Sequence, residues 1–289
     1  MSAALALSGS AALVWGTSDF LACVYSRRVP VRTIVIWSKG VGGVLGLATL
    51  LMRGQPPPGG AALALGVLAG LVGLPAMGLL CLVMRDSSVL MVAPIAAAAA
   101  AIPLLWGIAG GERFGWLGVV GLVTALLGIT LANWPITAAR MMPANPFTAC
   151  CAAGAATATG SYFVLLHQAS TSDPYGATAV ARTTQAVAVV VLAAGWRRRR
   201  SVAPVQQRRA STPAVLAVIG MLDSTGDAAF AIASTLGPLG VASVLASLYS
   251  AVTVVLGTWI LRERIHSIHA VGVVAATLGA ACLSAWPGT

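Results

Sequence analysis

Charge is scarce in this sequence. Of 289 residues, 8% are Asp, Glu, Lys or Arg and 58% are hydrophobic, against about 25% charged in an ordinary soluble domain. A chain of this length cannot hide so much apolar surface in a water-exposed fold, so the composition excludes a soluble globular protein and makes lipid the solvent. Acids are scarcest: seven carboxylates stand against 17 basic residues, of which Lys39 is the single lysine. The net charge of +10 would point to nucleic acid in a soluble protein. Here no basic surface interleaved with aromatics is present, and the arginines flank apolar runs as they do on the cytoplasmic side of membrane proteins. No nucleic-acid partner is expected.

Other absences narrow the chemistry. The five cysteines (Cys23, Cys81, Cys150, Cys151 and Cys282) are scattered through apolar segments without metal-ligand spacing, which excludes a disulfide framework and leaves them as small packing residues. There is no phosphate loop, nucleophile elbow or HExxH, so no cofactor, metal or catalytic residue is expected and the chain is not read as an enzyme. The N-terminus has neither a charged n-region nor a cleavage site, and its apolar run reads as a retained first span.

What is present is a succession of long apolar runs. A helix needs about 20 such residues to cross about 30 Å of hydrocarbon. Breaks at Arg, Pro, Gly and Asp give ten: 3–25, 31–52, 61–84, 88–109, 114–134, 147–168, 177–196, 213–236, 238–261 and 265–286. The fold expected is all-α and integral to the membrane. The longest connector, at 197–212, is rich in arginine.

The chain also resembles itself. GERFGWLGVVGLVTALLGITLANW (111–134) aligns without a gap on RERIHSIHAVGVVAATLGAACLSA (262–285), sharing Glu112/Glu263, Arg113/Arg264, Gly121/Gly272, Val123/Val274, Ala125/Ala276, Leu127/Leu278 and Gly128/Gly279. This gives two five-helix repeats, 1–134 and 147–289, joined by a connector at 135–146. Five is odd, so the second repeat must insert upside down, a recurring plan of secondary transporters with the substrate at the repeat interface. The connectors after odd-numbered spans, with Arg32 at the adjoining edge of span 2, hold 13 of the 17 basic residues. That side is therefore expected in the cytoplasm, with both termini outside the cell (inner or plasma) membrane. A chain containing both inverted halves is expected to be monomeric.

WGTSDF in span 1, APIAAAAAAIPLLWGIAGGER across spans 4 and 5, and SVLASLYSAVTVVLGTWILRERIHSIHAVGVVAATLGAACLS across spans 9 and 10 resemble the EamA-type repeat of the drug/metabolite transporter superfamily. The resemblance covers nearly the whole chain and implies ten helices, a central cavity, and export or uptake of small metabolites by alternating access. This chain departs from the family pattern at Asp19, where Asn or a small polar residue is usual, at Ser250, where Pro is common, and at Lys39, where Arg is common.

Five charges fall well inside the expected spans: Asp19, Lys39, Arg182, Asp223 and Asp227. Each costs roughly 2.5–3.5 kcal/mol at the bilayer centre on insertion scales, so such residues face a bundle interior and find partners. Arg182, five residues into its span, is shallow enough to snorkel instead. At about 1.5 Å rise per residue, depth matches Asp19 with Lys39 and Arg182 with Asp227. Asp223 is then left over as the candidate proton- or cation-coupling group, one turn from Asp227 on the same face. Trp15, Trp106, Tyr162, Gln185 and Tyr249 are candidate cavity-lining residues, although packing is the commoner role for aromatics. His266, His269 and Glu263 have i, i+3 spacing but sit at the mouth of a span, where interfacial placement is expected rather than a metal. Glu112 and Glu263, each beside an arginine, read as surface pairs. The expected function is secondary transport, with export favoured, of an amino-acid-like or amphipathic metabolite. Its partners are that substrate, protons and membrane lipids. An integral-membrane enzyme or a non-transporting scaffold are the alternatives.

Overall fold

The computed structural model describes residues 2–86, 92–132, 146–199, 212–261 and 266–285. Among them are eleven α-helices and no strand: α1 (Ser2–Ser26), α2 (Val31–Arg53), α3 (Gly60–Asp86), α4 (Val92–Ala109), α5 (Trp116–Ala132), α6 (Pro146–Ser170), α7 (Pro174–Arg199), α8 (Thr212–Leu236), α9 (Leu239–Ala246), α10 (Tyr249–Leu261) and α11 (Ser267–Ala285). Among the described residues seven stretches are long and apolar enough to cross a membrane, and α4, α5 and α11 carry shorter apolar segments. The protein is a multi-pass membrane protein. Glu263 and most of the arginine-rich connector lie outside the described residues.

The helix ends are where the sequence places its breakers. Pro30 and Pro238 immediately precede α2 and α9. Pro146 and Pro174 open α6 and α7, the first-turn position where a missing N–H costs nothing. Gly54, at φ 60°, ends α2 in the left-handed conformation, its N–H bonded to the Leu51 carbonyl at 3.3 Å; that φ favours glycine.

The span expected at 238–261 is broken in two. Serines 243, 247 and 250 each donate a hydroxyl hydrogen bond to a carbonyl three or four residues back, at 2.9, 2.8 and 3.1 Å. Such bonds compete with the backbone ladder and bend helices. At the break the Leu248 N–H reaches the Leu245 carbonyl at 3.2 Å, a tighter, three-residue bond.

Small residues let the helices approach closely. The tightest seam joins α5 to α11. A β-carbon at Gly121 would lie 2.9 Å from Leu283 and 3.0 Å from the Gly279 carbonyl, and one at Gly128 would lie 2.6 Å from Ala276 Cα. Across the seam, Gly272 meets Ala132 and Gly279 meets Ala125. Facing positions thus run in opposite directions, so the two helices are antiparallel. They are also the residues matched in the internal alignment. Gly43 and Gly46 of α2 meet Ala186 and Ala179 of α7, and Gly66 and Gly70 of α3 meet Val180 and Ala181. Elsewhere α1 packs on α8 and α10, α3 on α6, α4 on α6 and α9, and α2 on α8.

Two polar links join the halves at the end of the bundle holding the α2–α3, α4–α5, α6–α7 and α8–α9 turns. Arg53 Nη1 donates to both carboxylate oxygens of Asp173 at 2.8 Å, and its guanidinium lies 5.5 Å from the ring centre of Tyr175. In the α4–α5 turn, Glu112 accepts the Leu239 N–H at 2.5 Å and the Gly240 N–H at 3.1 Å. Glu112 therefore does more than sit in a surface pair: it caps the positive end of α9. A ring of exposed apolar side chains, including Val44, Leu51, Met52, Val190, Val191, Trp116 and Trp259, surrounds the bundle as lipid contact requires.

Candidate functional site

Four of the five intramembrane charges meet in one buried cluster. Lys39 comes from α2, Arg182 from α7, and Asp223 and Asp227 from one face of α8; all are less than one-tenth exposed. Asp223 Oδ2 accepts from Lys39 Nζ at 2.9 Å and from Arg182 Nη1 at 2.6 Å. Arg182 Nη2 bonds Asp227 Oδ2 at 2.7 Å and also donates to the Asp223 carbonyl oxygen. One planar guanidinium can span two carboxylates a helical turn apart because its donors form a rigid fork.

Neighbours complete the cluster. Ser38 Oγ donates to Asp223 at 3.4 Å, and Tyr162 donates its hydroxyl proton to Asp227. Gln185 accepts from Arg182 Nη1 at 3.3 Å. Trp15 Nε1 reaches the Asp223 carbonyl at 3.2 Å, tying α1 to the same point of α8. Two formal positive charges are matched by two negative ones, which is how buried ions avoid an uncompensated desolvation cost.

Glycines make room for this. A β-carbon at Gly42 would stand 3.2 Å from Arg182 Cδ and 2.9 Å from Ser224 Oγ. One at Gly73 would stand 2.9 Å from Gln185 Nε2, and one at Gly226 would meet the Trp15 indole at 2.5 Å. These glycines, with Ser38, Phe163 and Phe230, belong to the site but were not expected from the sequence. Gly226, immediately before an intramembrane Asp, was the one readable signal.

The expected pairing of Asp19 with Lys39 is not formed. Lys39 turns to Asp223, and Asp223, expected to be left over, is the most heavily bonded acid of the cluster. Depth along a helix was the wrong coordinate alone, because it ignores which way a side chain points around the axis. At this level α2 packs on α8, with Gly220 against Ser38, and this brings Lys39 to Asp223. The expected Arg182–Asp227 pair does form, and Arg182 is buried within the bundle instead of snorkelling.

Asp19 is the acid left over. It lies on α1, half-buried, and among the described residues it has no hydrogen bond or ion pair. It lines a cavity of about 80 Å³ with Trp15, Lys39, Tyr162, Gln185, Asp223, Asp227 and Tyr249. Four of the five expected lining residues are there. Trp106 is not: it is 51% exposed on the outside of α4, where an aromatic ring meets lipid. The cavity would hold roughly five to eight waters at 10–15 Å³ each, well short of the 300–1,000 Å³ of a pocket for a drug-sized ligand. Aromatic rings form one wall: Trp15 stacks on Phe163 at 5.3 Å and meets Tyr249 edge-on at 6.4 Å. Among the described residues no three His, Cys, Asp or Glu side chains converge as metal ligands. The rings of His266 and His269 lie 6.0 Å apart at the start of α11.

The family model of the EamA-like transporter family matches residues 2–134 and 146–285. No curated protein matches the chain. Among solved structures, one described only as "Crystal structure of protein" is similar in fold, with a TM-score of 0.76 at 19% identity; the match covers 99% of this chain and 97% of that one.

Proposed function

Since the chain belongs to the EamA-like transporter family, we propose that it is a secondary active transporter, an exporter of a small amino-acid-like or amphipathic metabolite, working by alternating access. The observation that carries this reading is the cavity midway along the helices, walled by a charge-balanced cluster and one uncommitted carboxylate. A scaffold has no use for charges that cost this much to bury. The repeats at 1–134 and 147–289 are read as inverted halves. In support, the repeat-matched glycines of α5 and α11 line the antiparallel seam between these two helices.

On this reading the arginine-poor end of the bundle faces outward from the inner or plasma membrane. The Arg53–Asp173 and Glu112–α9 links, both at that end, hold it closed. Asp19 and Leu80 line the cavity about two turns from the cytoplasmic ends of α1 and α3, which suits loading from inside, as export requires. Proton coupling is part of the proposal, and so is function as a monomer.

The test is flux in proteoliposomes, using a panel of amino acids, amines and nucleosides with and without an imposed pH gradient. Saturable flux of at least one solute that responds to the gradient is expected. Folded protein that moves none of them under any gradient would overturn the proposal.

A further inference from the structure

Charge balance at the cavity indicates what it takes. Lys39 and Arg182 are consumed by Asp223 and Asp227, so no cation at the site is free to meet an anionic substrate. The one acid without a partner among the described residues, Asp19, faces the same space. Beside it are the faces and edges of Trp15, Tyr162, Phe163 and Tyr249, the surroundings that attract a cation to an aromatic ring. A carboxylate held in a low-dielectric space without a counter-charge calls for one positive charge.

Resting on the transporter reading above, we propose that Asp19 is the specificity-determining residue of the cavity and that the substrate is a monocation, a protonated amine or quaternary ammonium on a small body. The cationic head pairs with Asp19 and leans on Trp15 and Tyr249, while the buried quartet stays paired. A neutral analogue leaves Asp19 uncompensated, and an anion meets two paired cations and an unpaired acid. When the site is empty a proton can occupy the Asp19 carboxylate, so protons and substrate compete for it. The titratable groups lining this space are Lys39 on α2, Tyr162 on α6, Asp223 and Asp227 on α8 and Tyr249 on α10, with Arg182 of α7 buried against the two aspartates. The charged ones among them are already engaged with each other, and the competition is assigned to Asp19.

Calorimetric titration of the purified full chain tests this with three matched probes: benzylamine, benzyl alcohol and benzoate. Tetramethylammonium and choline serve as further monocations. Wild type is expected to bind at least one monocation, and benzylamine at least tenfold more tightly than either of its analogues, with the preference shrinking as pH falls. Asp19→Asn should abolish the preference and its pH dependence. Asp19→Glu, which keeps the charge, should retain both and guards against a loss that merely reflects misfolding. Preference for the amine surviving in Asp19→Asn, tightest binding of benzoate, or no binding of any monocation would each overturn the proposal. Liposome flux separates the two readings. Flux of neutral or anionic solutes alone, equal in wild type and Asp19→Asn, leaves the transporter standing and removes this inference. Amine binding at Asp19 with no flux of any solute does the reverse.

Discussion

Replacing Gly272 by alanine should loosen the protein at its tightest seam. The added β-carbon would lie 2.5 Å from Ala132 Cα and closer still to its nitrogen. These are backbone atoms that cannot rotate away. Ordinary contact begins near 3.4 Å, so α5 and α11 must separate locally by about 1 Å. A gap of that size forfeits roughly a quarter to a half of each dispersion contact across it. Overpacking of this kind costs about 1–3 kcal/mol, and the better helix propensity of alanine returns somewhat under 1 kcal/mol. Because the contacts are with backbone, the upper end of that range applies, and the net expectation is a loss of about 2 kcal/mol, some 30-fold in the folding equilibrium. Gly128→Ala should behave alike, and the double variant should lose less than the sum, because helices already parted by one methyl accept the second more easily. Gly9→Ala, with no atom within 4 Å of the new carbon, should be neutral or slightly stabilising. Unfolding in mixed micelles of increasing SDS fraction, followed by circular dichroism, reads all four. Gly272→Ala unfolding at the wild-type midpoint would refute the packing argument.

Three further outcomes follow from the links already described. Arg182→Met strands two carboxylates on α8 with Lys39 alone and should cost about 3–5 kcal/mol; adding Asp227→Asn should restore part of it, seen in thermal aggregation profiles. Glu112→Ala leaves two N–H groups at the start of α9 uncapped and should lower stability by about 1 kcal/mol, with faster amide exchange at Leu239 and Gly240 as the local signature. At Asp173, burial raises the carboxyl pKa, but the Arg53 and Gly176 hydrogen bonds outweigh it and leave the pKa below the usual value. The link therefore contributes at neutral pH and fades only as pH falls below about 4. Being partly exposed, it is worth no more than about 1 kcal/mol. A cysteine pair bracketing the contact and cross-linked at pH 7 and pH 3.5 should show the difference, whereas Arg53→Gln should abolish it.

Much of the architecture was legible because lipid imposes a simple rule: every span must be long and apolar. The ten runs in the sequence correspond to the helices, and the glycines matched between 111–134 and 262–285 are the ones that let α5 and α11 approach closely. What the sequence concealed is rotational. Lys39 and Asp19 sit at compatible depths, but only the packing of α2 on α8 decides that Lys39 turns to Asp223. Trp106 has the composition of a cavity residue and the azimuth of a lipid-facing one. The break between α9 and α10 contains no proline or glycine to announce it, and three serine hydroxyls in and beside it bond back to the backbone. Glu112 stands beside Arg113 in the sequence, whereas its partners lie more than 120 residues away.

The charge cluster also has a consequence for how the chain is made. Its anions both lie on α8, and its cations lie on α2 and α7, which leave the ribosome first. A nascent chain stopped before α8 holds Lys39 and Arg182 in the membrane with neither Asp223 nor Asp227 yet made. The arrival of α8 neutralises both in a single step and, through Trp15, fastens α1 as well. Assembly should therefore have a late commitment point, before which the first seven helices are an incomplete bundle exposed to quality-control proteases. A chain shortened by its last four helices would be expected to be cleared from the membrane rather than persist as a half-transporter.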